Sequence, residues 1–425
     1  MARRDPRLRE DAFARGLNSR RDFTLLLLAR LAMSTSRAMA GVVVPLYLVA
    51  LGFSGIELGF IFLVAGAAAA LMATLVGFAA ARIPARIFMI SIPMLASFAA
   101  LVYAFSQDRA ALFAFAAIGT FGRGAGAGAG NVGPQQPAES QLIARVVHSQ
   151  RRNQAFGIIS AASSAGAVVG AGLSAVLALS PSSRLAVIAA FRPGMLAIAI
   201  FSALAAMAAV LLTKGRPANP DHRSRQRLFA FPINSRRLVY RLWATNTLNG
   251  IAVGMFGPFV TYWLHIRFRA GQATIGELYL LINVGTVAAG LVAPQVARVH
   301  GTVRATSALR ILQGLLLIPL ALAPSIIWAG AIYFIRMFAQ RTALPLRQSY
   351  VMAMADPNEQ ARVAALSNLP SQVMSAVSPT LSGYLFEESL LSAPLLIGGL
   401  LQAASAVLFF AFFHRDAPPE EIPSG

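Results

Sequence analysis

The feature that most constrains this chain is a series of twelve apolar runs, each close to the roughly 20 residues with which an α-helix crosses about 30 Å of hydrocarbon. They lie near residues 23–50, 57–81, 86–105, 110–132, 154–178 and 186–213, and then near 239–263, 274–297, 303–323, 325–345, 361–386 and 391–413. Of the 425 residues 57% are hydrophobic and only 12% charged, against about a quarter charged in a soluble domain. A soluble globule of this length could not hide that much apolar surface. Stretches such as Leu25 to Leu28 and Ala67 to Met72 lack the period-two alternation of membrane strands, so the spans read as helices. An all-α integral membrane fold is expected.

A net charge of +20 would suggest nucleic acid in a soluble protein, so the positions of the basic residues decide. Arg3, Arg4, Arg7, Arg9, Arg15, Arg20 and Arg21 precede the first span, Arg82 and Arg86 follow the second, and Arg145, Arg151 and Arg152 follow the fourth. The densest run follows the sixth: Lys214, Arg216, Arg223, Arg225, Arg227, Arg236, Arg237 and Arg241. The alternate loops hold little beyond Arg109, Arg184, Arg192, Arg267 and Arg269. This positive-inside pattern predicts a multi-pass protein of the cell (inner) membrane with both termini in the cytoplasm, and leaves no need for a nucleic-acid partner. The expected division is a tail at 1–22, a six-helix half at 23–213, a cytoplasmic linker at 214–238, a second six-helix half at 239–414 and a tail at 415–425.

With no cysteine, disulfides, thiolate nucleophiles and thiolate metal sites are excluded. His148, His222, His265, His300 and His414 fall in loops or at span ends without metal-ligand spacing, so no metal or other cofactor is expected. Ala38-Met39-Ala40 mimics a leader cleavage site, but Arg30 and Arg37 interrupt the apolar stretch and hydrophobic sequence runs on to Ala50, as in an uncleaved first helix. Gly128-Ala129-Gly130-Asn131-Val132-Gly133 fits a dinucleotide-binding spacing, yet it ends an apolar helix and runs into Pro134. Close helix packing is the reading for these glycines, through Gly124-x-x-x-Gly128 and Gly126-x-x-x-Gly130, as for Gly166-x-x-x-Gly170.

The two halves share a grammar. Ser54-x-x-Glu57 and Thr274-x-x-Glu277 each place a capping box at the start of the second span of a half. Arg123, Pro134 and Arg152 are spaced 11 and 18 residues apart, against 9 and 17 for Arg336, Pro345 and Arg362. Val169 to Ser174 parallels Val377 to Ser382. Three matches in one order support an internal duplication, which is common among transporters.

Two six-helix halves, an Arg-rich linker and these signatures resemble the major facilitator superfamily over roughly Asp22 to His414. Gly77, Arg82 and Arg86 stand at places of the family's motif between the second and third helices, with Ala81, Pro84 and Ala85 departing from it. Arg123 with Gly124, Gly126 and Gly128 resembles a fourth-helix motif linked to substrate and proton handling. Gly157, Gly166 and Gly170 have the spacing of the family's antiporters, with Ala171 where those carry Pro. Pro345-Leu346-Arg347-Gln348-Ser349-Tyr350, through Arg362 to Pro379 and Gly383, is similar to the second-half counterpart in drug and metabolite exporters.

The resemblance implies a secondary transporter working by alternating access, with gating contributed by Gly77, Arg82, Arg86, Gly157, Gly166, Gly170 and Pro379. Export of a small organic solute is the expected direction. Arg37, Arg123 and Arg336 lie deep in spans where an arginine costs roughly 2.5–3.5 kcal/mol on insertion scales, so a cationic cavity for an anionic or zwitterionic solute is expected. Asn246 and Asn249, three apart on one helix face, and Gln372 complete the candidate substrate set; Ser34, Thr35, Ser36, Gln313 and Asn368 are further polar residues inside spans. Of sixteen acidic residues only Glu139, just past Pro134, is placed to reach a cavity. A monomer in the lipid bilayer is expected. The other classes weighed are a transporter-like sensor or assembly factor, and an intramembrane enzyme, for which no catalytic constellation is present.

Overall fold

Backbone N–H and C=O groups find no partner in hydrocarbon, so a chain of this composition must satisfy them within each segment, and it does so with helices. A computed structural model describes residues 6–79, 83–119, 121, 133–146, 152–178, 186–213, 231–356, 359, 363 and 366–416. Among them the helices are α1 (Pro6–Ala50), α2 (Gly55–Ala79), α3 (Ala85–Phe105), α4 in two pieces (Arg109–Gly119 and Gln136–Val146), α5 (Arg152–Val176) and α6 (Ala186–Val210). The second set is α7 (Arg236–Phe256, continued through Gly257–Phe259 into Val260–Phe268), α8 (Gln272–His300), α9 (Thr302–Leu315 with Leu317–Ala321), α10 (Ile326–Met354), α11 (Leu369–Glu387) and α12 (Ala393–Phe413).

Seven of these, in α1, α2, α3, α5, α6, α9 and α12, are long and apolar enough by themselves to cross a membrane. The remaining five are polar or interrupted. Such segments are tolerated in a membrane where neighbouring helices cover them.

The structure corrects several sequence boundaries. Beyond the expected end of the fourth span near residue 132, helical structure is present again among the described residues. Pro134 and Gln135 sit in a 3-10 turn that opens the helix Gln136–Val146. Gly133 before it has φ of 72°, a conformation only glycine adopts without strain. Proline there starts a helix rather than stopping one, because its missing N–H falls among donors that a helix start leaves free. Likewise α10 runs through Pro345 to Met354. The capping box at Ser54 forms, with Ser54 N–H donating to Glu57 Oε2 at 2.8 Å and Glu57 N–H to Ser54 Oγ at 3.3 Å. Its counterpart does not: α8 starts at Gln272 after Gly271, two residues before Thr274 and without a side-chain cap.

Packing separates the two ends of the bundle. At the end away from the termini, one core joins the halves, with Tyr47 and Phe62 from the first and Phe259, Trp263 and Phe386 from the second. Phe259 lies edge-on to Phe62, ring centroids 5.1 Å apart, and equally close to Phe386. Backbones meet there too: a Cβ at Gly55 would lie 2.7 Å from the Gly383 carbonyl oxygen, and one at Gly59 2.7 Å from that of Pro379. Gln272 Nε2 donates to Ser174 O at 2.8 Å and Thr261 Oγ1 to Gly41 O at 3.0 Å, again between halves. At the end bearing the termini the cores are separate. One contains Leu26, Met89, Ile143 and Leu212 from the first half, the other Val239, Tyr350, Val363 and Phe409 from the second.

Candidate solute site in the second half

Four helices of the second half bring their polar residues to one place. On α10, Arg336, Gln340 and Arg347 follow one another at intervals of four and seven residues, which returns to the same helix face. α9 supplies Arg310 and Gln313, α7 Asn246 and Asn249, and α12 Gln402 and Ser405. Together they surround a cavity of ≈ 70 Å³ lined by Asn249, Val253, Arg310, Gln313, Gln340, Ala343, Leu344, Arg347 and Gln402. That is room for a group of a few heavy atoms.

Each guanidinium is held by neutral oxygen. Arg310 Nη2 donates to Asn249 Oδ1 at 2.5 Å and to Ser405 Oγ at 3.3 Å. Arg347 Nη2 donates to Asn246 Oδ1 at 2.5 Å and Asn368 Oδ1 at 3.5 Å, while Asn246 Nδ2 donates to Ser367 O. Arg336 Nη2 donates to Gln402 Oε1 at 3.1 Å and Nη1 to Gln340 Oε1 at 3.4 Å, with the guanidinium 5.8 Å from the Phe256 ring centre. Gln402 in turn donates to Gln313 Oε1 at 3.1 Å. Amide oxygens orient a guanidinium but do not cancel its charge. Arg310 Nη1, Arg336 Nε, Arg347 Nε and Gln313 Nε2 are buried without a partner among the described residues. The cluster therefore keeps its positive charge and carries donors without a partner among the described residues beside that cavity.

The first half is organised differently. Arg30 of α1 donates to Glu139 of α4 at 2.5 Å, with side chains 7% and 3% exposed. The one carboxylate that the sequence placed within reach of a cavity thus lies inside the bundle, held by Arg30. Ser34 bonds Ser163 at 2.9 Å, Thr35 donates to Gly166 O at 3.0 Å and Ser36 bonds Ser202 at 2.7 Å, so these three bind helices together.

The other expected site residues distribute as follows. The Arg37 guanidinium packs on Gly133, away from the second-half cluster's lining. Arg123 and its neighbouring glycines, Arg82, Arg151, Arg362, His148, His222 and the linker from 214 to 230 lie outside the described residues. Gln372 sits half-buried on α11 and does not line the cavity. Arg86 of α3 donates to the carbonyls of Ala209 and Val210, capping the end of α6. Gly77 lies within α2. Gly166 and Gly170 pack against the α1 backbone at Leu31 and Thr35, within one half, whereas a Cβ at Gly157 would meet nothing within 4 Å among the described residues. Pro379 is at the contact between halves, against Gly59. Arg310, Gln340 and Gln402 went unrecognised in the sequence. Their signal was a charge or amide inside an apolar run, as at Gln313.

The sequence profile of the Major Facilitator Superfamily matches residues 26–379 and, a second time, 242–425. The chain belongs to the major facilitator superfamily. As a facilitator protein it is a membrane transporter and not an enzyme. Its fold is shared with solved transporters of low identity. The nucleoside transporter NupG superposes with a TM-score of 0.70 at 14% identity, covering 92% of this chain and 99% of NupG. A bacterial homolog of the human lysosomal transporter Spinster, inward-facing and occupied, gives 0.70 at 16%, covering 93% and 97%. A POT family transporter in complex with 5-aminolevulinic acid gives 0.72 at 15%, covering 92% and 96%. No curated protein matches the chain as a sequence relative.

Proposed function

We propose that this facilitator protein is a secondary transporter for a small organic solute carrying an anionic group, and that the Arg310, Arg336 and Arg347 cluster receives that group. One observation carries the reading: the guanidiniums of Arg310 and Arg347 line a cavity and that of Arg336 lies beside it, bonded to the lining residue Gln402, with only neutral acceptors bonded to all three. Guanidinium is planar and presents paired donors that match carboxylate or phosphate. The positive-inside charge distribution supports cytoplasmic termini in the inner membrane; on that orientation the end with separate cores faces the cytoplasm, as in an inward-facing state. Export is proposed on the similarity of the Pro345–Gly383 stretch to exporters.

Replacing Arg310, Arg336 or Arg347 with Gln keeps a hydrogen-bonding group but removes charge. Anion affinity in proteoliposomes should fall about ten- to hundredfold, the worth of a charged hydrogen bond of about 1.5–3 kcal/mol, and its salt dependence should weaken. Unchanged affinity in all three variants, or a purely cationic transported solute, refutes the assignment. For orientation, cysteines introduced at Asn219 and Asp108 should react with an impermeant reagent from opposite sides of the membrane; reaction from one side refutes the topology.

A further inference from the structure

Positive charge inside the second half cannot be cancelled by the protein itself. From 222 to 276, 278 to 355, 360 to 386 and 389 to 415 the sequence has no Asp or Glu. The carboxylates of that half are therefore confined to helix ends, and several are engaged there: Glu359 accepts from Ser235 N–H at 2.8 Å, Asp416 pairs with Arg241 at 3.1 Å and Glu387 accepts from Ile56 N–H at 3.2 Å. In the first half the interior carboxylate is Glu139, and Arg30 already holds it. Were Glu139 to swing toward the cluster, Arg30 would be left behind unpaired. The interior total stays positive however the partners are shuffled.

This matters when the protein changes face. With one end open, water hydrates the guanidiniums around the cavity. Between the two open states both ends are closed, and the cluster must pass through a stage without that water. A desolvated cation lacking a counter-charge is strongly unfavourable, whereas one paired and hydrogen-bonded is not. A bound anion supplies both the charge and acceptors for Arg310 Nη1, Arg336 Nε and Arg347 Nε, which otherwise have none among the described residues.

Building on the anion site proposed above, we infer that the protein is an obligate exchanger: it changes face with an anion bound and not when empty, so it swaps one anion for another across the membrane. The Arg30–Glu139 pair is neutral in itself and places no such condition on the first half. The uncompensated cluster makes the empty carrier the slow species.

The absence of cysteine makes the test clean, since introduced thiols are the only ones. Spin labels on Gln107→Cys and Glu388→Cys, exposed positions of the two halves at the closed end, report opening of that end in proteoliposomes. Inorganic phosphate, succinate and benzoate serve as probe anions. Ligand-free protein should show one short-distance population, and an anion that binds should add a longer one. Vesicles preloaded with that anion in radiolabelled form should release it about tenfold or more faster into the same anion than into anion-free buffer. The Arg310→Gln, Arg347→Gln double variant should populate both distances without anion and lose the stimulation. If ligand-free wild-type protein already samples the long distance as fully as loaded protein, or releases a bound anion equally fast into anion-free buffer, the exchange inference is overturned while the anion site stands. If none of the three anions binds or shifts the distances, the anion site falls and exchange falls with it.

Discussion

The first half buries Arg30 against a carboxylate, and the second buries Arg310, Arg336 and Arg347 against amide and hydroxyl oxygens. Each ion taken from water costs several kcal/mol, which a close ion pair offsets within the protein. Neutral acceptors return about 1.5–3 kcal/mol per charged hydrogen bond and leave the net charge in place. The contrast separates a structural pair, complete in itself, from a cluster that remains competent to bind something from outside.

The largest expected effect tests the self-contained pair. Glu139→Gln leaves Arg30 as an uncompensated buried charge and should destabilise the protein by about 3–5 kcal/mol, seen as a large drop in the thermal unfolding temperature in detergent. Arg30→Met combined with Glu139→Leu should recover most of it, because neither charge is then buried. A single variant as stable as wild type would break the comparison, and so would Arg336→Gln if it proved the more damaging change.

A middling effect is expected where the halves touch. Gly59→Val drives side-chain atoms into the Pro379 carbonyl and should cost the closed arrangement about 1–3 kcal/mol, shifting spin-label distances at that end toward the open state. Gly157→Val, at a glycine with nothing within 4 Å among the described residues, should leave the same distances unchanged. Equal shifts from both would remove Gly59 from the gate.

The smallest effect sharpens the comparison of the two helix starts. Ser54→Ala removes a formed cap and should cost about 1 kcal/mol in thermal unfolding, whereas Thr274→Ala, two residues inside α8, should cost nothing measurable.

Much of this was legible in the sequence because it is local. Hydrophobic runs fixed the spans, and the three-residue spacing of Asn246 and Asn249 put both on the face that meets Arg347 and Arg310. Arg336 was marked by its depth in a span, and the structure places it beside the cavity, bonded to Gln402, which lines it. What stayed hidden depends on rotation and distance. Nothing along the chain says that α9 turns Arg310 toward Asn249, 61 positions away, or that α12 aims Gln402 at both Arg336 and Gln313. Glu139 was marked as the carboxylate able to reach a cavity, but nothing local pairs it with Arg30, 109 positions away; the positive φ of Gly133, which precedes its helix, has no local signature beyond the glycine itself. Thr274 misled because a capping box is a pattern of residue types that chain geometry can decline, and Gly271 began the helix first.

The glycine seam between α2 and α11 has a consequence for how motion proceeds. The closest contacts at Gly55, Gly59 and Gly383 are backbone against backbone, with the Glu387 carboxylate on Ile56 N–H beside them. Dispersion attraction across such a seam falls by about a quarter to a half for a gap of roughly 0.5–1 Å, so parting weakens it steeply from the first step. Trajectories of a single molecule should consist of long dwells joined by abrupt jumps, with the time spent in each dwell, rather than any graded opening, setting the turnover.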